Sequence, residues 1–159
     1  MKIVVQTILL AALASLAACA SKPKEAPVRT LSAVLVAAVD ANTGEAGIPG
    51  PTLVHVLALS DKDALLEADY FALVEDAEGV LGRDVLAVET LSIQPGAEID
   101  LELETPNDAA FIAVVAGLKD YQSGHWRDLE PYEVKKFRRG KKWRIVVEKD
   151  AVDLVATKK

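Results

Sequence analysis

The segment Glu98 to Glu104 alternates between acidic and apolar side chains at every position. Ile99, Leu101 and Leu103 fall on one face and four carboxylates on the other, which is the period of a β-strand with one buried and one solvated face. Segments of similar length, rich in Val, Ile and Leu, recur roughly every ten residues and are separated by turn residues. Short strands at this spacing are typical of a two-sheet β-sandwich, so the chain is predicted to be mainly β.

One helical stretch interrupts the predicted strands. Apolar residues between Leu65 and Val74 recur at helical spacing, which predicts an insertion between the second and third strands. Ser60 is placed to cap its start and Asp69 to cap a second short helix. The first strand is apolar except for Ser32 and is predicted to be buried on both faces. A phase shift in the apolar pattern of the third strand predicts a bulge near Glu89. The predicted strands span residues 31–39, 52–59, 85–93, 98–104, 109–118, 132–137, 143–147 and 152–154.

A loop of twelve residues, Asp40 to Pro51, separates the first two strands. It holds three Gly and two Pro, which exclude regular structure. It is also longer than the about 2–5 residues of a tight hairpin turn. Ile48 is its one large apolar side chain. We therefore predict a projecting, exposed loop with a binding role, and an idle connector is the alternative.

The N-terminal segment has the features of an export signal. Lys2 precedes an apolar run over residues 3–16, and the run ends in Leu-Ala-Ala followed by Cys19, the single cysteine of the chain. Leu-Ala-Ala-Cys resembles a bacterial lipobox, which implies cleavage before Cys19 and acylation of its thiol and new amino group. A plain secretory signal with an unrelated thiol is the alternative. A spanning helix is disfavoured because the run is shorter than the about 20 residues that a span needs and charged residues follow it.

These features divide the chain into three parts. Residues 1–18 are the predicted lipoprotein signal peptide, 19–30 a lipidated flexible tether, and 31–159 a single β-sandwich domain. Ala20, rather than aspartate, follows the cysteine. By resemblance to bacterial lipoproteins, this implies delivery to the periplasmic face of the outer membrane in a Gram-negative bacterium.

Charge and side-chain chemistry disfavour several classes of function. The signal segment holds one of the 18 Lys and Arg and none of the 24 Asp and Glu, so the rest of the chain carries a net charge of −7. This acidity argues against a nucleic-acid partner. His55 is predicted to be a satisfied core residue and His125 a surface residue, and neither has a second ligand at zinc spacing. We predict no catalytic residue, no metal site, no small-molecule substrate, and no cofactor other than the covalent lipid on Cys19.

A basic segment, Val134 to Arg144, carries seven cations in eleven residues. A hairpin turn is predicted within it, at residues 137–143. Two interpretations of the turn at 135–144 stay open. It is either a solvated hairpin whose lysines discourage strand-to-strand aggregation, or a patch for anionic lipid head groups.

Four phrases, taken in order, resemble the TssJ (SciN, VasD) lipoprotein family of the bacterial type VI secretion system. They are Val54-His55-Val56-Leu57-Ala58-Leu59; Leu65-Leu66-Glu67-Ala68-Asp69-Tyr70-Phe71-Ala72-Leu73; Leu81-Gly82-Arg83-Asp84-Val85-Leu86, followed by Glu89 and Gln94-Pro95-Gly96; and Ile112-Ala113-Val114-Val115-Ala116, with Trp126-Arg127 after a gap. With the lipobox in front, the resemblance covers most of the chain. It implies a transthyretin-like two-sheet β-sandwich with a short helical insertion between the second and third strands and a protruding loop between the first two.

The resemblance also implies a function. Members of this family are outer-membrane lipoproteins that dock the periplasmic domain of an inner-membrane TssM-type protein, and through it a TssL-type component. The loop at 40–51 corresponds by position to the partner-binding loop of the family. The predicted partner-binding residues are Asn42, Thr43, Gly44, Glu45, Gly47, Ile48 and Pro49. The alternative is a periplasmic small-ligand carrier or assembly-pilot lipoprotein on a similar sandwich, which a large apolar cavity between the sheets would favour.

Overall fold

The computed structural model describes residues 28–122, 124–132 and 142–157, and in these residues it contains eight strands and two helices. The strands are β1 (Val28–Ala37), β2 (Thr52–Leu59), β3 (Val85–Ile93), β4 (Glu98–Pro106), β5 (Phe111–Ala116), β6 (Arg127–Pro131), β7 (Lys142–Val147) and β8 (Val152–Thr157). The helices are α1 (Asp63–Glu67) and α2 (Tyr70–Leu81), and a 3₁₀ turn (Gly82–Asp84) leads from α2 into β3. The helices therefore form an insertion between the second and third strands, as predicted.

The strands form two four-stranded sheets. The first sheet has the order β4-β1-β7-β8 and the second the order β3-β2-β5-β6. The pairing of β1 with β7 is parallel and the other pairings are antiparallel. The two sheets bury one shared core, so the predicted β-sandwich is confirmed.

The core lies between the sheets and is built of branched apolar side chains. Leu35 is fully buried and pairs with Ile99 of β4 on one side and Ile145 of β7 on the other. Val56 and Val114 pair in the second sheet and are also fully buried. Truncating one such leucine to alanine costs about 2–5 kcal/mol, so these strands hold the sandwich together.

The first strand is buried on one face, and the prediction of two buried faces is wrong. Leu31, Ala33, Leu35 and Ala37 are buried, whereas the residues between them are half-buried. The reason is that the helices pack on the second sheet, where they cover its outer face. The outer face of the first sheet instead carries the exposed carboxylates of β4, which alternates along its length as the sequence predicts.

The helices attach through a second apolar cluster. Leu65, Leu73, Ala77 and Leu81 pack against side chains of β2 and β5. The prediction for Asp69 is confirmed, because its carboxylate accepts hydrogen bonds from the first backbone N–H groups of α2.

Two local predictions are wrong, and a third lies almost wholly outside the described residues. Ser60 does not cap α1; its hydroxyl lies 3.4 Å from the Asp84 carboxylate, and Lys62 occupies the N-cap position. The bulge between β2 and β3 lies between Ala58 and Leu59 rather than near Glu89. The last strand of the second sheet is β6, which ends before the predicted strand at 132–137 begins, and residues 133–137 lie outside the described residues.

Within the described ranges, no helix combines the length and the apolar character that crossing a membrane requires.

Candidate functional site

The loop between β1 and β2 has a buried base and an exposed tip. Ala41, Asn42 and Thr43 are buried, and so is Gly50. The tip, residues 45–49, is exposed throughout, and the side chain of Ile48 is 65% exposed. The loop thus projects a short apolar tip from a base that belongs to the folded domain.

Asn42 ties the base of the loop to the segment that follows β5. Its side-chain amide donates to the carbonyl oxygens of Pro51 (2.9 Å) and Gly117 (3.3 Å). The side-chain carbonyl oxygen of Asn42 accepts a hydrogen bond from the backbone N–H of Lys119 (2.7 Å). Its backbone φ is +52°, a left-handed conformation that asparagine tolerates better than most residues. One side chain therefore satisfies three backbone groups that the loop and its neighbour would otherwise leave unpaired.

Lys119 supports the tip from inside the loop. Its ammonium group donates to the carbonyl oxygen of Ile48 (2.8 Å), and its stem passes between Gly44 and Gly50. A Cβ on Gly50 would lie 2.6 Å from Lys119 Nζ, and a Cβ on Gly44 would lie 2.9 Å from Lys119 Cβ. Gly44 also has a φ of +63°. Gly44 is therefore needed for the close approach of the loop to this lysine, whereas a Cβ on Gly50 would displace only the flexible end of the lysine side chain.

The structure divides the predicted partner-binding residues into two groups. Asn42 and Thr43 are buried, and the Thr43 hydroxyl donates to the Asp40 carbonyl, so the prediction of a wholly exposed loop is wrong at these two positions. Gly44 is half-buried. The remaining four are exposed: Glu45, Gly47, Ile48 and Pro49. Partner binding by these residues stays a prediction, and the exposed tip is where it applies.

A shallow polar cleft of about 290 Å³ lies beside the loop. It is lined by Thr43, Gly44, Glu45, Gly47, Asp120, Lys149 and Asp150. In the part of the chain that the structure describes, no three His, Cys, Asp or Glu side chains are grouped so as to hold a metal ion. The cleft presents both acidic and basic side chains, which can form hydrogen bonds with a partner.

Four aromatic side chains form a cluster next to the segment that carries Lys119. Tyr70 stacks on Tyr121 with ring centroids 4.7 Å apart, and Phe71 and Trp126 meet the rings of this pair edge to face. The Tyr70 hydroxyl donates to the carbonyl oxygen of Leu118 (2.7 Å). Burial, and secondarily Tyr121, raises the pKa of Tyr70 above its ordinary value, so this hydroxyl stays protonated as a donor at neutral pH. Phe71 is the exposed member, at 58%.

Arg127 closes one side of the aromatic cluster. Its guanidinium lies 4.5 Å from the ring centroid of Trp126 and donates to the carbonyl oxygens of Leu65, Leu66 and Ala68 at 2.5–3.2 Å. Partial burial lowers its pKa below the ordinary value. These bonds satisfy the carbonyl groups at the end of α1, which has too few residues to satisfy them itself.

His55 has a structural position, as the sequence predicts. It is buried, and its two ring nitrogens lie 2.9 Å from the Thr90 hydroxyl and 3.1 Å from the Val74 carbonyl oxygen. Val74 lies just before Asp76, where α2 is interrupted. His55 thus joins β2 to α2, and both of its nitrogens have partners.

Two further predictions lie wholly or partly outside the described residues. Cys19 and the tether precede the first of them, Val28. Most of the basic turn is also outside, except for Lys142 and Arg144 on β7, and Lys142 lies 3.9 Å from the carboxylate of Asp100.

Known proteins similar to this chain come from one secretion system. The family model for type VI secretion lipoproteins (VasD, EvfM, TssJ) matches residues 29–152. No curated protein matched the chain. The T6SS lipoprotein TssJ1 from Pseudomonas aeruginosa superimposes with a TM-score of 0.74 at 26% identity, over 84% of this chain and 99% of that chain.

Two other solved structures are also similar. Serratia marcescens Lip, described as a membrane bound component of the type VI secretion system, has a TM-score of 0.71 at 24% identity, over 84% of this chain and all of that chain, and this likeness bears on the fold alone. A chain in the structure described as the T6SS protein TssM C-terminal domain from EAEC has a TM-score of 0.66 at 25% identity, over 80% of this chain and 98% of that chain.

Proposed function

Because the chain belongs to the type VI secretion lipoprotein family, we propose that it is a lipid-anchored subunit of the membrane complex that binds the periplasmic domain of a TssM-type inner-membrane protein. Through that protein it is linked to a TssL-type component. The loop tip at residues 45–49 is the proposed contact.

The observation that carries this proposal is the internal support of the loop. A loop that serves only as a connector needs no buried asparagine with three hydrogen bonds and no lysine inserted between two glycines. Holding the tip in one conformation lowers the entropy that binding has to overcome. This chain is also similar to a chain in the solved structure described as the T6SS protein TssM C-terminal domain, and that similarity supports a TssM-type protein as the partner.

Lipid attachment completes the proposal. We propose that Cys19 is acylated after removal of residues 1–18 and that the tether begins at Cys19 and ends before Val28, because residues 28–30, expected in the tether from the sequence, belong to β1. The domain that begins with β1 stands on the periplasmic face of the outer membrane. The support is the lipobox-like sequence together with membership of a lipoprotein family. The anchor raises the effective concentration of the loop near its partner, so a modest affinity suffices.

The proposed role is binding rather than catalysis. The family is defined by its part in a secretion complex. The interior also favours docking over the alternative of a ligand carrier, because inward-facing side chains such as Val54, Ile112 and Ile145 are fully buried against one another.

The test is capture of the C-terminal periplasmic domain of the TssM-type protein by the full chain, solubilised in detergent. Replacing residues 45–49 with Gly-Ser-Gly-Ser-Gly should lower the affinity at least tenfold while leaving the circular dichroism spectrum unchanged. The matched control is Val155→Ser, which removes an exposed valine on β8 (51% exposed) and should bind normally.

The two negative outcomes of this experiment contradict different parts of the proposal. Equal capture by the replaced tip would contradict the role of the loop. Absence of capture by the unaltered chain would contradict the whole assignment of the partner.

A further inference from the structure

The most exposed apolar side chains gather at one end of the sandwich. Among the described residues, the three most exposed large hydrophobic side chains are Val39 (81%), Ile48 (65%) and Phe71 (58%). Val39 and Ile48 belong to the loop that follows the last residue of β1. Phe71, in the first turn of α2, lies 23 residues after Ile48 along the chain, so its position needs a structural argument.

Two consecutive residues bring Phe71 to the same end as the loop. The carbonyl of Leu118 accepts the Tyr70 hydroxyl (2.7 Å), and Lys119 donates from its backbone N–H to Asn42 and from its ammonium to Ile48. Tyr121, two residues later, contacts the Phe71 ring at 4.7 Å. Two residues span at most about 7 Å, so the aromatic cluster and the loop lie at the same end of the sandwich.

The charge in the chain segment around Phe71 is mostly negative, although the cations Arg127 and Lys119 also border the aromatic cluster. Between Asp61 and Glu78 there are seven carboxylates, all exposed, and one cation, Lys62. Lys62 is directed over the ring of Phe111, 5.7 Å from its centroid. An exposed aromatic ring on a mostly acidic segment is complementary to an apolar side chain on a segment rich in lysine and arginine.

We propose that Phe71, with Leu66 and Tyr121, is a second contact surface for the partner that binds the loop tip, and that it receives an apolar side chain flanked by basic residues. This inference rests on the proposed function. A ring that is held by neighbouring aromatics and half exposed loses little conformational entropy when it is covered, which is the property of an interface hot spot.

The test uses the same detergent-solubilised full chain and the same TssM-type periplasmic domain. Phe71→Ala should weaken binding more than tenfold, and Phe71→Glu more strongly still. Val80→Ala is the matched control, because Val80 is an exposed apolar residue near the other end of α2 (42% exposed) and should bind within twofold of the unaltered chain.

Salt dependence tests the basic character of the partner segment. Glu75 lies one helical turn after Phe71 and is exposed. Glu75→Lys should weaken binding at least threefold at 50 mM salt, with the difference shrinking at 500 mM, about the range over which charges become screened. Glu104→Lys on β4 is the control, because Glu104 is exposed and pairs with Thr30 at the opposite end of β1, and it should leave the affinity unchanged.

The outcomes separate this inference from the proposed function. If the altered loop tip loses binding while Phe71→Glu and Glu75→Lys bind as the unaltered chain does, the second surface is refuted and the docking function stands. If Phe71→Glu loses binding but Glu75→Lys does not, the basic chemistry assigned to the partner is wrong. If the unaltered chain captures nothing, the proposed function itself fails.

Discussion

Asn42 illustrates how a residue in a turn-like sequence becomes part of the core. The stretch Asp40 to Gly44 consists of residue types that favour turns, so the sequence predicts an exposed loop. In the structure Asn42 is 3% exposed and its amide bonds three backbone groups. Two of these groups belong to residues more than seventy positions away, which no local pattern reveals.

Asn42→Ala should destabilise the domain by about 3 kcal/mol, because it leaves buried polar groups unpaired and places alanine in a left-handed conformation. Asn42→Gly should cost about 2 kcal/mol, since glycine adopts the same φ without strain. Urea unfolding followed by tryptophan fluorescence measures both. The control is Asn107→Ala, which removes one bond from Arg29 and should cost about 1 kcal/mol or less. Losses no larger than that of the control would contradict the role of Asn42.

The extent to which single residues were predictable depends on how local their partners are. His55 is correctly predicted as a satisfied core residue, because its apolar strand neighbours already indicate burial. Lys119 is not predictable, since the Ile48 carbonyl that it binds is 71 residues away and a lysine in a polar segment looks solvated. Phe71 is part of the apolar pattern that correctly predicts a helix, but its side chain is exposed and joins an aromatic cluster, which the pattern does not show.

Whether a secondary-structure element can be predicted also depends on how local its contacts are. The bounds of β2 and β3 agree with the predictions at both ends, because each is an apolar run between turn signals. β6 contains Arg-Asp-Leu-Glu-Pro, with a single large apolar residue, and is a strand because β5 pairs with it. Its strand character arises from tertiary pairing, which the local sequence does not show.

The start of α2 gives a prediction at this scale. The Asp69 carboxylate accepts from the N–H groups of Phe71 (2.9 Å) and Ala72 (3.3 Å). Asp69→Ala should therefore lower the free energy of unfolding by about 1 kcal/mol. Glu75→Ala makes the same change of charge at an exposed position within α2 and should have an effect below about 0.5 kcal/mol. Equal effects in urea titrations of the two variants would contradict the cap.

At the scale of the whole molecule, β1 sets the two ends of the domain. The proposed tether joins its first residue, Val28, and the loop leaves after its last, Ala37. Ten residues of strand span roughly 30 Å, so the loop tip lies at the end opposite the attachment point. β7 runs parallel to β1 and begins with Lys142, so the described end of the basic segment lies toward the tether. The predicted interaction of that segment with anionic lipid stays a prediction.

The position of the tether and the loop tip at opposite ends of β1 bears on the proposed anchor. A lipid at Cys19 would hold the N-terminal end of β1 near the membrane and direct Ile48 and Phe71 away from it, into the space that an inner-membrane partner has to cross. Several acyl chains on one residue give stable attachment, whereas one chain alone binds weakly and reversibly. The proposed anchor would therefore determine where the docking end operates, and the sandwich would determine what it binds.

Cys19→Ser should separate these two properties. Without acylation the chain should leave the outer-membrane fraction and be recovered as a folded domain, measured by fractionation on a density gradient and by loss of labelling with a palmitate analogue. Its affinity for the TssM-type periplasmic domain in solution should stay within twofold of the unaltered chain, because the loop tip lies at the end of β1 opposite Val28, the first described residue. Ser21→Ala, two residues further on, is the control and should remain in the membrane. Retention of Cys19→Ser in the outer-membrane fraction would contradict the lipid anchor, and loss of binding in solution would contradict the separation of anchor from docking surface.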